Sequence, residues 1–325
     1  GVEVVLNSTN IRTNDFTWTM DFNIAFNRSK VLDIYGDNSD TNSFIQDYES
    51  RMGFKIEKGK PMGQFYGLIY DGIYTTDDFE QVDAETYRLK DGIASLKGTD
   101  RNSVKPGDVK YKPIAGETDD AGNPVWSTND RTVIGNASPD FTGGWNNTFT
   151  YKGFDLNIFM NFSVGNDVFN MSTQRFVGPY LANQNSIGDM ANRFKLIDPL
   201  NGKECVNLTR LAELNPGQYS GDLMWNISGN NKTAISDHSS YYIENGSYLR
   251  LSTITLGYTL PKKLVQRAKI SNARVYCTMN NICTITGYTG YDPDVASSSS
   301  ALTPGIDNSS YPRSKSWVLG VNLTF

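Results

Sequence analysis

Strict two-residue alternation, sustained over long stretches, constrains this chain more than any other feature. In DFTWTMDFNIAFN the even positions Phe16, Trp18, Met20, Phe22, Ile24 and Phe26 are all apolar, while the odd ones run Asp15, Thr17, Thr19, Asp21, Asn23, Ala25 and Asn27. A helix would scatter these residues around its axis, whereas an extended strand sends them to opposite faces. In YKGFDLNIFMNFSVG, Phe154, Leu156, Ile158, Met160 and Phe162 oppose Asp155, Asn157, Phe159, Asn161 and Ser163. SWVLGVNLTF puts Trp317, Leu319, Val321, Leu323 and Phe325 in one phase. Trp145, Phe149 and Tyr151 fit the same template, as do Ile254, Leu256, Tyr258 and Leu260; Ala273, Val275, Cys277 and Met279 follow it until Asn281 breaks the phase.

A strand of about 13 residues extends ~43 Å, and a tilt of roughly 40° leaves ~30 Å of vertical span, the hydrocarbon thickness of a bilayer. The connections take turns in length: short near 9–14, at Lys152-Gly153 and at 261–271, long at about 31–140, 165–245 and 285–311. A soluble β-sandwich uses shorter strands and mostly short connections. The pattern predicts an all-β fold, a transmembrane antiparallel β-barrel with apolar rows facing lipid, polar rows facing a wet lumen, short periplasmic turns and long extracellular loops. The expected crossings are 1–8, 13–30, 141–151, 153–164, 246–260, 272–284 and 312–325.

The lipid-facing row is then Phe16, Trp18, Met20, Phe22, Ile24, Phe26, Phe154, Leu156, Ile158, Met160, Phe162, Leu319, Val321, Leu323 and Phe325. Aromatics nearest the short turns, including Phe149, Tyr151 and Tyr258, would form an interfacial girdle; Trp145, Phe162, Tyr248 and Trp317 would form the outer one. Phe159, the large apolar residue of its polar row, is expected to touch a plug inside the barrel. Seven crossings are odd in number and too few to close in lipid, so the remaining wall is expected from preceding sequence.

Composition removes other classes. At 38% hydrophobic residues and a mean hydropathy of -0.44, with no apolar run near 18 residues, the chain carries no helical span. The net charge of -5 is scattered, unlike a nucleic-acid footprint. Three cysteines show no CxxC spacing, and Cys277 and Cys283 on one strand would sit roughly 20 Å apart, too far to bridge. The single histidine, His238, reads as a solvated loop residue. Acid pairs at Asp77/Asp78, Asp119/Asp120 and Asp292/Asp294 read as solvated, and with no GxSxG motif the chain is not expected to be an enzyme.

Several stretches resemble the C-terminal part of TonB-dependent transporters of the SusC/RagA type. They are KGKPMGQFYGLIYDGIYTTDDF (58–79), KPGDVKYK (105–112), DRTVIGNASPDFTGGWNNTFTYKGFDLNIFMNFSVGNDVFN (130–170), GSYLRLSTITLGYTLPKKL (246–264), ARVYCTMNNICTITGYTGYDPD (273–294) and YPRSKSWVLGVNLTF at the end. The resemblance implies that residues 1–325 are the last seven strands of one barrel domain of 22 strands, its plug and earlier strands lying outside this sequence. It also implies the outer membrane of a Bacteroidota-like bacterium, energy from TonB through the plug, a SusD-like surface lipoprotein as lid, a possible dimer of such pairs, and oligosaccharide or peptide cargo. No cofactor is implied. Family members often carry a DxNxDG-like, calcium-type insert; the corresponding PIAGETDDAGNPVWSTND, with Glu117, Asp119, Asp120 and Asp130, lacks that spacing, so no metal site is carried over.

Aromatic faces cover sugar C–H surfaces, and amides and carboxylates bind hydroxyls, so long loops rich in Tyr, Trp, Asn and Asp suit an oligosaccharide. Phe65, Tyr66, Tyr70, Asp71, Tyr74, Trp126, Tyr180, Trp225 and Tyr241 are the candidates for ligand or lid contact; packing of their own loops is the alternative for each. The competing classes are a non-transporting surface β protein such as an adhesin, whose apolar rows would meet each other, and a passive porin.

Overall fold

The computed structural model describes residues 1–34, 42–177, 183, 185–227, 238–294 and 297–325. Seven long strands form one antiparallel sheet in chain order: β1 (Val2–Arg12), β2 (Phe16–Phe26), β3 (Phe141–Tyr151), β4 (Phe154–Val164), β5 (Tyr248–Thr259), β6 (Asn272–Thr286) and β7 (Ser316–Thr324). Each of the first four is 11 residues long, about 36 Å, or ~28 Å when tilted. Because every strand pairs with its chain neighbour, the short turns lie at one end of the sheet and the three long connections at the other.

Strand bounds depart from the expected ones where pairing and alternation differ. β1 runs on to Arg12 because a bulge between Thr9 and Ile11 keeps it paired with Thr17 of β2. β2 itself stops at Phe26. β6 continues through Asn281, whose φ of 52° marks a local bulge, and resumes pairing at Cys283. The Lys152-Gly153 turn has φ of 46° and 92°, the two positive values that a two-residue hairpin matched to strand twist requires; glycine supplies the second without strain.

The long connections are not bare loops. The first holds a four-stranded sheet ordered Thr132–Asn136, Gln64–Gly67, Met52–Glu57, Ser43–Tyr48. The second holds helices Met171–Phe176 and Leu208–Leu214. A small sheet joins the second to the third, with Asp167–Asn170 between Ile243–Asn245 and Ile306–Asp307. Residues from all three, among them Phe54, Phe65, Leu68, Trp126, Phe169, Leu211, Trp225 and Ile306, share one buried apolar core. The molecule therefore has a two-faced wall and, at one end of it, a packed module.

Candidate functional site

On the wall, register places the apolar residues side by side. Phe16 stands opposite Tyr151, Trp18 opposite Phe149, Phe22 opposite Trp145 and Ile24 opposite Gly143. Across the next seam Phe154 meets Tyr258, Leu156 meets Leu256, Ile158 meets Ile254, Met160 meets Leu251 and Phe162 meets Leu249. Leu319, Val321 and Leu323 face Cys277, Val275 and Ala273. Phe26 lies 5.6 Å, centroid to centroid, from Phe141, and Phe325 follows the end of β7 with 84% of its surface exposed. Trp18 and Phe149 stack at 5.7 Å, and Phe154 and Tyr258 lie tilted at 4.4 Å, near the short turns. Phe162 lies over Gly143, where a Cβ would come within 2.9 Å of its ring.

Met20 has a polar neighbour on this face, Asn147. Its carbonyl oxygen accepts the Trp18 indole N–H at 3.1 Å and the residue is 6% exposed, so the amide is covered by an aromatic ring that also satisfies it.

Tyr248 departs from expectation. Ser252 is an extra residue in β5, unpaired with β4, and the bulge reverses the phase above it. Leu249 and Leu251 take the apolar side, while Tyr248 pairs with Ser163 on the polar side and Arg250 with Asn161. The Tyr248 hydroxyl accepts the Asn161 side-chain N–H at 3.3 Å, and the Arg250 guanidinium lies 5.0 Å from its ring. Tyr248 therefore cannot belong to an outer girdle on the apolar face.

The polar face is knit by side chains. Asn157 donates to Asn146 at 2.8 Å and to Thr148 at 2.9 Å, and Asn146 donates to Asp21 at 3.3 Å. Thr255 and Thr278 hydroxyls meet at 3.0 Å. Arg274 of β6 donates to Asp155 of β4 through Nε at 2.9 Å and Nη2 at 2.5 Å, reaching across β5. The crossing is possible because Gly257 lies beneath; a Cβ there would sit 2.5 Å from Asp155 Oδ1 and 2.6 Å from Arg274 Nε. Phe159 lies over Gly144 in the same way, its ring 3.3 Å from where a Cβ would be.

At the end of the wall nearest the module, Arg250 is 2% exposed. It donates to Asp292, to Asp294 at 3.2 Å and to Thr284 at 3.1 Å, and Arg313 reaches Asp294 at 2.5 Å. The pair expected to be solvated thus ties the third connection to β5, because a buried guanidinium needs carboxylate partners. The sequence cue was local: Arg250 sits between Leu249 and Leu251.

The loop candidates divide. Phe65, Tyr74, Trp126 and Trp225 are at most 3% exposed and belong to the module's core, so their rings meet other rings rather than solvent. Trp225 donates its indole N–H to the Val177 carbonyl at 3.0 Å. Tyr70 and Tyr241 are half-buried, 4.9 Å apart edge to face, each beside Trp225, and burial raises both hydroxyl pKa values. Tyr66 is half-buried below Lys55, and Asp71 is exposed with Lys112 at 3.9 Å. Tyr180 lies outside the described residues. Among the candidates, then, Tyr70, Trp225 and Tyr241 come together.

His238 is 6% exposed rather than solvated. Its carbonyl accepts the Leu68 N–H at 2.6 Å, linking the first two connections, and its Nε2 lies 3.3 Å from Asp47. In the acidic turn Glu117 accepts from Ser127 and Asn129, each at 2.8 Å, and from Lys97 at 3.1 Å; these bonds hold its carboxyl at about 2. Asp119 caps its own turn through the Ala121 and Asn123 N–H groups, and Asp130 accepts from Ala115 and Ser127. Asp120 stays at the turn's exposed surface. All three cysteines are free.

Comparison with known proteins covers the chain end to end. It is 30% identical over 331 residues to TonB-dependent receptor P3 of Formosa agariphila and 27% identical over 329 residues to TonB-dependent receptor SusC of Bacteroides thetaiotaomicron, in both cases across 100% of this chain. It spans 28% and 26% of those relatives' own lengths. The solved RagAB peptide transporter has the same fold over 99% of this chain and 29% of its own, with a TM-score of 0.63 at 21% identity. No family model matches the chain.

Proposed function

We propose, for a chain that belongs to the SusC/RagA-type TonB-dependent receptors and is a partial barrel of that type, that it forms wall and external loops of an outer-membrane importer. The observation that carries this reading is the coincidence of an end-to-end match to receptors so named with a wall whose two faces suit lipid and water. The apolar row meets lipid, the side-chain network lines a wet lumen, the short turns are periplasmic and the module is extracellular. Import is driven by TonB through a plug outside this sequence, with a SusD-like lipoprotein closing over the module and two such pairs associating.

The cargo is an oligosaccharide nutrient on the composition of the loops. Import of peptides by the same mechanism is the second reading, and the structure offers one observation in its favour: Phe65, Tyr74, Trp126 and Trp225 are buried, leaving fewer ring faces for sugars than the sequence suggested. Uptake of labelled glycans and peptides by cells with and without TonB tests the proposal. Uptake that persists without TonB would make the protein a passive porin, and its absence in both strains would return it to the surface-protein class.

A further inference from the structure

The KPGD turn of the first connection builds a cavity whose chemistry the import reading does not use. Lys105 to Asp108 folds into a tight turn, with Lys105 N–H on the Asp108 carboxylate at 2.9 Å. Gly107, at φ 82°, passes under Phe194 of the second connection, where a Cβ would lie 2.5 Å from the ring. Buried Asn226 locks the seam by donating to the Pro106 carbonyl at 2.9 Å and to Asp108 at 2.8 Å. Beside this seam lies a cavity of about 670 Å³ that includes Arg193, Lys195, Ile197 and Ile227 in its lining, a size at which small-ligand sites bury most of their ligand.

Its lining combines aliphatic surface with excess positive charge. The segment carrying Arg193 to Leu196 is held rigid from behind: Phe194 N–H bonds Met224, Lys195 N–H bonds Asn215 and the Leu196 carbonyl accepts Cys205 N–H, all within 2.8 Å. That leaves the side chains to the cavity. Lys105 is paired with Glu204 at 2.5 Å, whereas the exposed Arg193 and Lys195 have no carboxylate within ion-pair range among the described residues. Arg193 donates through Nη1 to the Met190 carbonyl, which leaves its other guanidinium N–H groups to a ligand. Ile197 and Ile227 are 53% and 45% exposed, while the Phe194 ring is 2% exposed and offers no face for stacking. Two cations with no carboxylate partner among the described residues, beside aliphatic surface, suit a carboxylate on an apolar body.

We propose that this cavity is a binding site for a carboxylate-bearing ligand, the free carboxyl end of a short aliphatic peptide or a uronic-acid sugar supplying that chemistry. The proposal rests on the import reading and deepens it by naming the cargo's charge. Calorimetry on the full-length transporter with its lipoprotein uses a short alanine peptide ending in leucine, its carboxyl-amidated form and an oligogalacturonate. The double variant Arg193→Gln/Lys195→Gln changes only exposed side chains. Amidation should weaken binding to the unaltered protein about tenfold, the variant should lose about tenfold for the free acid, and the amide should bind both proteins alike. An oligogalacturonate that binds and loses the same factor in the variant supports the site with a sugar acid as its source. Equal affinities in both proteins for every carboxylate probe, or no binding by any, overturns it. TonB-dependent uptake measured in the same strains keeps the two readings apart: import with no charge preference sinks the cavity proposal alone, whereas no import sinks the reading beneath it.

Discussion

The wall and the module solve the same problem with opposite geometry. In the wall, large apolar residues such as Leu256 and Leu319 are 46% and 82% exposed, and the opposite face carries the hydrogen-bond network. In the module, Phe54, Phe65, Leu68 and Trp225 are at most 1% exposed, as in a water-soluble core. Exposed apolar rows in one part and a closed apolar core in the other are what the proposed two solvents call for, and burial alone separates these parts more sharply than composition does.

The largest expected effect probes the module. Trp225→Ala removes a fully buried tryptophan from its core, at about 3–5 kcal/mol. Hydrogen exchange should rise across the first two connections while β1 to β7 stay protected; equal loss of protection in the wall would show that the two regions are not separate. Next comes the wall. Leu156→Arg or Ile24→Arg should cost ~2–4 kcal/mol near the bilayer midplane and block insertion, read as loss of heat-modifiable outer-membrane protein, whereas normal assembly of either would refute the lipid face. Gly257→Val is a finer probe of the inner side: the added side chain must part Asp155 from Arg274, at roughly 1–3 kcal/mol, and should lower the unfolding temperature without preventing insertion. An unchanged unfolding temperature would mean that the pair does not brace the wall.

The smallest effect concerns pH. The Glu117 carboxyl is lowered from its ordinary 4.5 to about 2, first by Ser127, then by Asn129 and Lys97. A lowered acid stabilises the fold above its unfolded value and loses that contribution as pH falls through the folded one. The protection factor of the Val125 amide, whose N–H bonds the Glu117 carbonyl, should therefore fall as pH drops from about 4.5 to about 2. Glu117→Gln should flatten the dependence; a variant that keeps it would assign the titration elsewhere.

The wall was legible because period-two alternation is a direct record of two faces, and Phe16 to Phe26 or Phe154 to Phe162 needed nothing more. Alternation fails where the strand adds a residue. Continuing the phase of Ile254 back to Tyr248 crosses Ser252 and lands on the wrong side. The module was not legible, since Tyr74, Trp126 and Trp225 look alike in sequence whether they face a ligand or one another, and their partners are far away in the chain. His238 and the Asp292/Asp294 pair were misread for the same reason: Leu68 and Arg250 supply their contacts from distant segments.

The bulge at Ser252 makes this strand more sensitive to its length than to its letters. Removing Ser252 would straighten β5 and still leave Leu251 and Ile254 on one side, so that deletion should be nearly silent in the facing pattern. Removing Thr255 instead would make Ile254 and Leu256 neighbours in the chain, so that one of the two must turn to the polar side. Insertions and deletions should therefore accumulate in this part of the wall at a single spot, even where neighbouring residues vary freely.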